Sequence, residues 1–483
     1  MSQNNKFYIT TTLPYTNSDP HIGFAAELIK ADVIARTQRL LGKEVVFNTG
    51  TDEHGLKVYQ LAEVAGLSPR DYCTPYAERF ASLKEALDLS VTNFVRTSDE
   101  HHCGAAQEFW KRCADKGDIY KKNYSVKYCV GCEMEKTESE LIDGRCPLHP
   151  GRELELIEEE NYFFRFSRYQ QALLEYFDRH PQFVVPSHRF TEIRNFVAAG
   201  LQDFSISRLK EKMPNGVPVP GDDEQVMYVW FDALVNYIST LGWPEDIGNF
   251  EAFWPGVQVC GKDNLRQQSA MWQTMLLSAG LPLTEQVLVF GFLTANGKKI
   301  SKSAGNGIDP FEYAGRYGAD ALRYYLLTEI LPFEDSDFSE SRLRLKYNAD
   351  LANGLGNLVA RVSTLLEKNS LETGLAPDRE DGLKRVLSSG LDKYQFNRAL
   401  QSIWAEVAAC NEELTGKAPW KLTEKNEIAA VLGPLARRIL AIGVMLEPFL
   451  PATAKAIITR FSEKQIRKGE SLFPRLVEEK AAE

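Results

Sequence analysis

Cys129 and Cys132 stand in C-x2-C spacing, and Cys146 and His149 follow in C-x2-H spacing after thirteen residues. Each pair fits a tight turn that aims two soft or borderline donors at one point, and four such donors complete a tetrahedral zinc site. The segment that carries them, from about Ile119 to Pro220, is turn-rich, with "CVGC", "DGRCPLHPGR" and "NGVPVPGDDE". Such a stretch reads as an insertion that interrupts the strands and helices on either side of it. With all four positions filled by protein, the expected metal is one structural Zn2+ on Cys129, Cys132, Cys146 and His149. Cys73, Cys103, Cys113, Cys260 and Cys410 are scattered along the chain and read as reduced, structural cysteines.

On either side of this segment strands and helices alternate. "KFYITTT", a loop through Pro20, a helix to about Leu41 ended by Gly42, and "EVVFNTG" read as strand, loop, helix, strand. Ala26, Ile29, Val33 and Leu40 recur at roughly helical spacing. Alternation of this kind predicts an α/β fold with a parallel sheet, whose ligands gather at the carboxyl ends of the strands. "DPHIGF" and "TGTDEHG" both lie at such ends, so they are expected to converge on one pocket. The alternation resumes with "VQVCGKD" and "QVLVFGF", the second running into "LTANGKKISKSAGNG". From about Ser341 the pattern turns helical, with "LRLKYNADLANGLGNLVARVSTLLEK" and "LARRILAIGVMLEPFLPATAKAIITRF", and nothing obvious remains for a further module after Phe473.

At 483 residues and 44% hydrophobic composition the chain can bury several cores, which suggests two to four domains. The first fifteen residues carry no basic or apolar leader and no run approaches 18 uninterrupted apolar residues, so a cytoplasmic protein without a membrane partner is expected. A net charge of −10 argues against a generally basic nucleic-acid binder while leaving room for a local basic face.

Two short stretches suit phosphate. His21 and Gly23 open a helix, where backbone N–H groups favour an anion and glycine lets a nucleotide approach the backbone. Lys298, Lys299, Ser301, Lys302 and Ser303 lie in a glycine-flanked loop that can fold over a polyphosphate, adding charge where it develops in a transition state. Singly, each has a plainer reading, as a helix cap and as a solvated loop.

Together they resemble the two signatures of class I aminoacyl-tRNA synthetases. "TLPYTNSDPHIGF", "NTGTDEHG", the knuckles, "MYVWFDALVNY", "GKD" at 261–263 and "GNGIDPFEYAGRYGADALRYYLL" follow in the order of the methionyl-tRNA synthetase family. The resemblance covers nearly the whole chain. It implies a Rossmann-type catalytic domain in two halves, residues 1–118 and 221–330, the second carrying the lysine loop and the start of a stem-contact segment. A zinc-knuckle connective insertion, 119–220, splits the halves, and the stem-contact remainder with an α-helical anticodon-binding domain occupies 331–483. It implies activation of L-methionine by ATP, with Mg2+, as methionyl-adenylate, then transfer to the 3′ end of initiator and elongator methionine-accepting tRNA by a monomer.

By the same resemblance, His21, Lys299 and Lys302 are catalytic and, with Gly23 and Ser301, bind ATP. Leu13, Tyr15, Asp52, Trp230, Tyr237 and Gln268 build the methionine pocket, Asp52 holding the α-amino group. Asn357, Arg361 and Trp420 read the anticodon through hydrogen bonds and stacking. Two positions depart from the family: Phe24 stands where a second signature histidine is usual, and Gln268 where the pocket usually has a histidine. Gln268 keeps hydrogen-bonding capacity but not the option of charge, and Phe24 keeps neither. The expectation for Phe24 is that the lysine loop carries more of the pyrophosphate charge. Remaining alternatives are a cysteine-specific synthetase, a small-molecule nucleotidyltransferase, and a catalytically impaired paralogue that binds tRNA or amino acid.

Overall fold

Lys6–Thr11 (β1) is buried at every position but its first, the pattern of a strand covered on both faces as in the middle of a parallel sheet. The computed structural model describes residues 5–132, 134–136, 140–295, 297–300 and 307–476. Five further strands complete the sheet: β2 (Glu44–Thr51), β3 (Asn93–Arg96), β4 (Val184–Val185), β5 (Val257–Gly261) and β6 (Gln286–Phe290). Their order is β3-β2-β1-β5-β6-β4. Ile9 pairs with Val257 and Val259 with Leu288 in parallel register, and Gly50 with Val95. The strand order reverses between β1 and β5, so the crevice beyond their carboxyl ends is where a doubly wound sheet receives its ligand. A Cβ on Gly50 would lie 1.9 Å from the Val95 carbonyl oxygen, so only glycine lets β2 and β3 approach this closely.

The chain forms two compact units. The first comprises Met1–Pro20, Val45–Ser82 and Val91–Phe290, and contains this sheet. Its core is aromatic: Phe109 stacks on Trp272 and meets Phe231 and Trp243 edge-on. The turn-rich segment folds as an antiparallel sheet ordered Met134–Lys136, Ile119–Cys129, Glu155–Phe164, Phe204–Ser205, with Ile119 opposite Phe164 and Tyr128 opposite Glu155.

The second unit comprises His21–Glu44, Leu83–Ser90 and Gly291–Glu483. Helix α1 (Ile22–Leu40) begins it. The helical run then includes α2 (Asn357–Lys368), α3 (Arg379–Ser388), α4 (Phe396–Lys417), α5 (Lys425–Leu446) and α6 (Pro451–Ser462). α5 is long and apolar enough by composition to cross a membrane, but Leu432, Leu435, Ile439 and Leu446 are buried in the bundle. The helix-period segment from Leu343 to Lys368 contains a π-helical stretch, Tyr347–Gly356, immediately before α2. Such a widened turn re-aims the residues that follow it and is common at functional sites.

Candidate active site and metal centre

In the first unit the turn after β2 is tied to the turn after β1. Asp52 N donates to the Pro14 carbonyl at 2.9 Å, Thr16 N donates to the Asp52 carbonyl at 3.2 Å, and Tyr15 and Asp52 form a parallel bridge. Asp52 is 3% exposed, and its Oδ1 accepts from Thr97 Oγ1 at 3.3 Å. Beside it, Glu53 accepts from Arg96 at 2.6 and 3.0 Å, from Thr51 at 2.9 Å and from Ser98 at 2.5 Å. Such hydrogen bonds fix this carboxylate as a strut, leaving Asp52 as the acidic group beside Tyr15.

The third member of the turn, His54, leads to a buried cluster. Its Nδ1 lies 2.5 Å from Asp232 Oδ2, while His102 Nε2 lies 2.8 Å from Asp232 Oδ1. Burial alone would raise the Asp232 carboxyl, but the two imidazoles hold it down at about 2. His54 is raised in turn: burial would lower it, and the Asp232 carboxylate outweighs that. None of Glu53, His54, His102 and Asp232 was expected to shape the site. His54 stands inside "TGTDEHG", but its partner Asp232 is 178 residues away and His102 joins it only through Asp232, so no local spacing marks them.

Tyr15 and Trp230 both pack against the small apolar cluster of Tyr128, Val130, Tyr228 and Val229. Trp230 Nε1 has no hydrogen-bond partner among the described residues. Tyr237 is 2% exposed and meets Trp272 edge-on, and its hydroxyl accepts from Gln268 Nε2. Gln268 lies on a π-helical turn, Gln267–Met271, that follows the carboxyl end of β5. Its Oε1 is buried without a partner among the described residues, an acceptor in want of a donor. Leu13 is half-buried in the turn after β1. Tyr15, Asp52, Trp230, Tyr237 and Gln268 thus belong to one aromatic, polar-pointed region at the carboxyl ends of β1, β2 and β5, the chemistry of a small-ligand pocket.

The knuckle residues converge. The donor atoms of Cys129, Cys132, Cys146 and His149 all lie within 4.8 Å of one another. Cys132 Sγ is 3.5 Å from Cys146 Sγ and 3.2 Å from His149 Nδ1, and Cys129 Sγ is 3.7 Å from that nitrogen. Tetrahedral zinc with sulfur at about 2.3 Å and nitrogen at about 2.0 Å requires edges of roughly 3.5–3.8 Å, a range these separations bracket, so the four donors could close on one ion. Gly131 is required for closure, because a Cβ there would lie 2.6 Å from the His149 ring.

In the second unit His21 caps α1. Its Nδ1 accepts from the N–H groups of Gly23 at 3.1 Å and Phe24 at 3.3 Å. An accepting Nδ1 places the proton of the neutral ring on Nε2, which makes that nitrogen a donor. A Cβ on Gly23 would lie 3.0 Å from the imidazole, so the glycine preserves this cap. Ile22 N donates to the Ile308 carbonyl at 2.9 Å, tying the start of α1 to the segment that follows the lysine loop. Phe24 is half-buried. In the lysine loop the backbone of Lys298–Lys299 pairs with Thr294–Ala295, and Ile300 is buried. Ser301, Lys302 and Ser303 lie outside the described residues.

On α2, Asn357 and Arg361 are four residues apart and share a face. The Arg361 guanidinium lies over the Trp420 ring, 5.0 Å from its centroid, and Trp420 is 47% exposed. A flat indole with a cation behind it is a stacking platform open to solvent.

Residues 7–156 and 135–363 match the family described as "tRNA synthetases class I (M)". The chain is 42% identical to a methionine-tRNA ligase of Thermosynechococcus vestitus, over 99% of this chain and 94% of that protein. It is 40% identical to the methionine-tRNA ligase of Thermotoga maritima, over 97% of this chain and 77% of that protein. A solved structure of Mycobacterium tuberculosis methionyl-tRNA synthetase in complex with methionyl-adenylate superposes with a TM-score of 0.89 at 34% identity, covering 97% of this chain and 100% of that one.

Proposed function

The chain belongs to the methionine-tRNA ligases of the class I tRNA synthetase family, and on that premise we propose that it activates methionine with ATP as methionyl-adenylate and passes the methionyl group to its tRNA. Activation is displacement at the α-phosphate by the methionine carboxylate. The C–O–P bond forms as the bond to pyrophosphate breaks, so the protein needs to position and to stabilise charge, not to supply a nucleophile. A cysteine-specific synthetase is not favoured by the relatives found.

The observation that carries the reading is the buried Asp52 carboxylate, fastened to the Tyr15 turn and next to an aromatic wall. Asp52 holds the α-ammonium group. Tyr15, Trp230 and Tyr237, with Leu13, surround the thioether, since sulfur packs well against ring edges. Gln268 uses its amide to fix Tyr237 and closes the wall that a histidine would otherwise form. His21 donates from Nε2 to a phosphate oxygen, Gly23 lets the nucleotide reach the helix start, and Lys299, Ser301 and Lys302 bring charge to the departing pyrophosphate. Magnesium bound with ATP supplies further neutralisation of the phosphates. Cys129, Cys132, Cys146 and His149 would hold one zinc ion, closing the knuckle without offering an open coordination position. Asn357, Arg361 and Trp420 read unstacked anticodon bases, and initiator and elongator tRNAs share that anticodon. The protein works in the cytoplasm as a monomer.

Exchange of labelled pyrophosphate into ATP, run in turn with methionine, cysteine and leucine, tests the substrate. Stimulation by methionine alone is expected; stimulation by cysteine and not methionine overturns the assignment.

A further inference from the structure

In the second unit, α1, α3 and α6 enclose a cleft of about 480 Å³ that none of the chemistry above uses. That volume lies within the roughly 300–1,000 Å³ typical of small-ligand sites. Arg36, Arg39, Arg379 and Lys455 line it, against a single carboxylate, Glu447. Four cations around one acid are notable in a chain of net charge −10. Like charges gathered at one concavity repel; Asp32 and Asp88 behind Arg36, and Glu447 beside Arg379, offset part of that charge, and an anion in the cleft would offset more.

The wall is also held rigid. Arg36 is gripped on one side by the buried Asp32 carboxylate at 2.7 Å and on the other by the Asp88 carbonyl at 2.6 Å and carboxylate at 3.1 Å. Asp32 is itself fixed by Arg323 at 2.8 Å and by the Ser90 N–H at 2.6 Å. Arg39, one turn further along α1, donates to the Ser90 carbonyl at 3.1 Å. Arg379 pairs with Glu447 at 3.1 Å. Lys455 is exposed on α6 and makes no ion pair among the described residues. Fixing one edge of the Arg36 and Arg379 guanidinium groups in this way holds their remaining N–H groups as positioned donors for phosphate oxygens. Leu40, Pro451 and Ile458 supply an apolar margin.

We propose that this cleft binds a small oligophosphate anion of pyrophosphate or triphosphate size, at a site separate from methionine activation. The separation is set by α1: Arg36 lies fifteen residues beyond His21, and at 1.5 Å per residue that is about 22 Å. The shared chemistry is a chain of phosphates, which an inorganic polyphosphate or a nucleotide could supply. A polynucleotide would call for a stripe of cations along its backbone, whereas these converge on one cavity.

Calorimetric titration of the full chain with inorganic tripolyphosphate tests the proposal, with GTP as a second arm. The variants are Arg379→Gln with Lys455→Gln, the charge-preserving Arg379→Lys, and Lys384→Gln as a control on α3 outside the cleft. All three positions are exposed. The wild type is expected to bind an equivalent of tripolyphosphate that the double variant binds at least about tenfold more weakly. Arg379→Lys, which keeps the charge but loses the planar donors, should fall between wild type and the double variant, Lys384→Gln should stay close to wild type, and methionine-dependent exchange should be unchanged in every variant. GTP binding tighter than tripolyphosphate in the same cleft assigns a nucleotide; equal binding assigns the phosphate chain alone. Identical isotherms for wild type and double variant overturn the site. So does a loss of tRNA affinity in the double variant with tripolyphosphate binding intact, which would make these cations contacts to RNA.

Discussion

Asp52, Glu53 and Asp232 in the first unit are 3% exposed or less and are held by threonine, arginine and histidine, whereas Trp420 in the second is 47% exposed with Arg361 over its ring. One region has its partners assembled before a ligand arrives; the other presents a bare surface. Under the proposed function the difference follows from the ligands. An amino acid is small and must be desolvated and held still, so the protein supplies fixed dipoles in a dry site. An unstacked base brings its own broad apolar face, so an open indole suffices and rigidity around it adds little.

The sharpest way to break this contrast is Asp52→Asn. Removing the charge that faces the α-ammonium should lower kcat/KM for methionine-dependent exchange by roughly a hundredfold or more, measured by steady-state exchange. A change below fivefold would mean that Asp52 is a strut like Glu53. Next, Asp232→Asn leaves two buried imidazoles without their carboxylate and should destabilise the first unit by about 3 kcal/mol, read from denaturant unfolding.

The same cluster sets a pH dependence. Asp232 is lowered from 3.8 to about 2, so its contribution is complete above pH 4 and is lost as pH falls through about 2. His54 is raised, so its contribution is complete below its ordinary value near 6.5 and fades as pH climbs through the higher folded value. Asp232→Asn should remove both slopes from the wild-type stability profile.

Trp420→Ala should raise KM for tRNA by about tenfold, the loss of one stacked base, with exchange unaltered. The smallest effect is expected at Phe24→His. With charge already supplied from the lysine loop, adenylation should change by less than about tenfold, and a hundredfold gain would show that the phosphate site lacks compensation.

The parts legible in the sequence are those whose cause is local. The knuckle is written in two short spacings that a turn can close, and the sheet in apolar runs that each end in a polar loop. The π-helical turns at Gln267–Met271 and Tyr347–Gly356 left no mark, because one extra residue in a turn does not disturb apolar periodicity over so short a window. The His54–Asp232–His102 cluster was invisible for another reason: its members come from three separate elements and meet only once the sheet is assembled. The roles expected of Tyr15, Asp52 and Trp230 came from resemblance, since aromatic residues alone read as core.

The central claim is that methionine chemistry and RNA reading are carried by differently built regions. Its most direct test is to measure pyrophosphate exchange and tRNA charging side by side for Asp52→Asn and Trp420→Ala. Asp52→Asn should depress both reactions alike, because charging depends on the adenylate, whereas Trp420→Ala should depress charging alone. A loss of exchange in Trp420→Ala, or normal exchange in Asp52→Asn, would contradict the account.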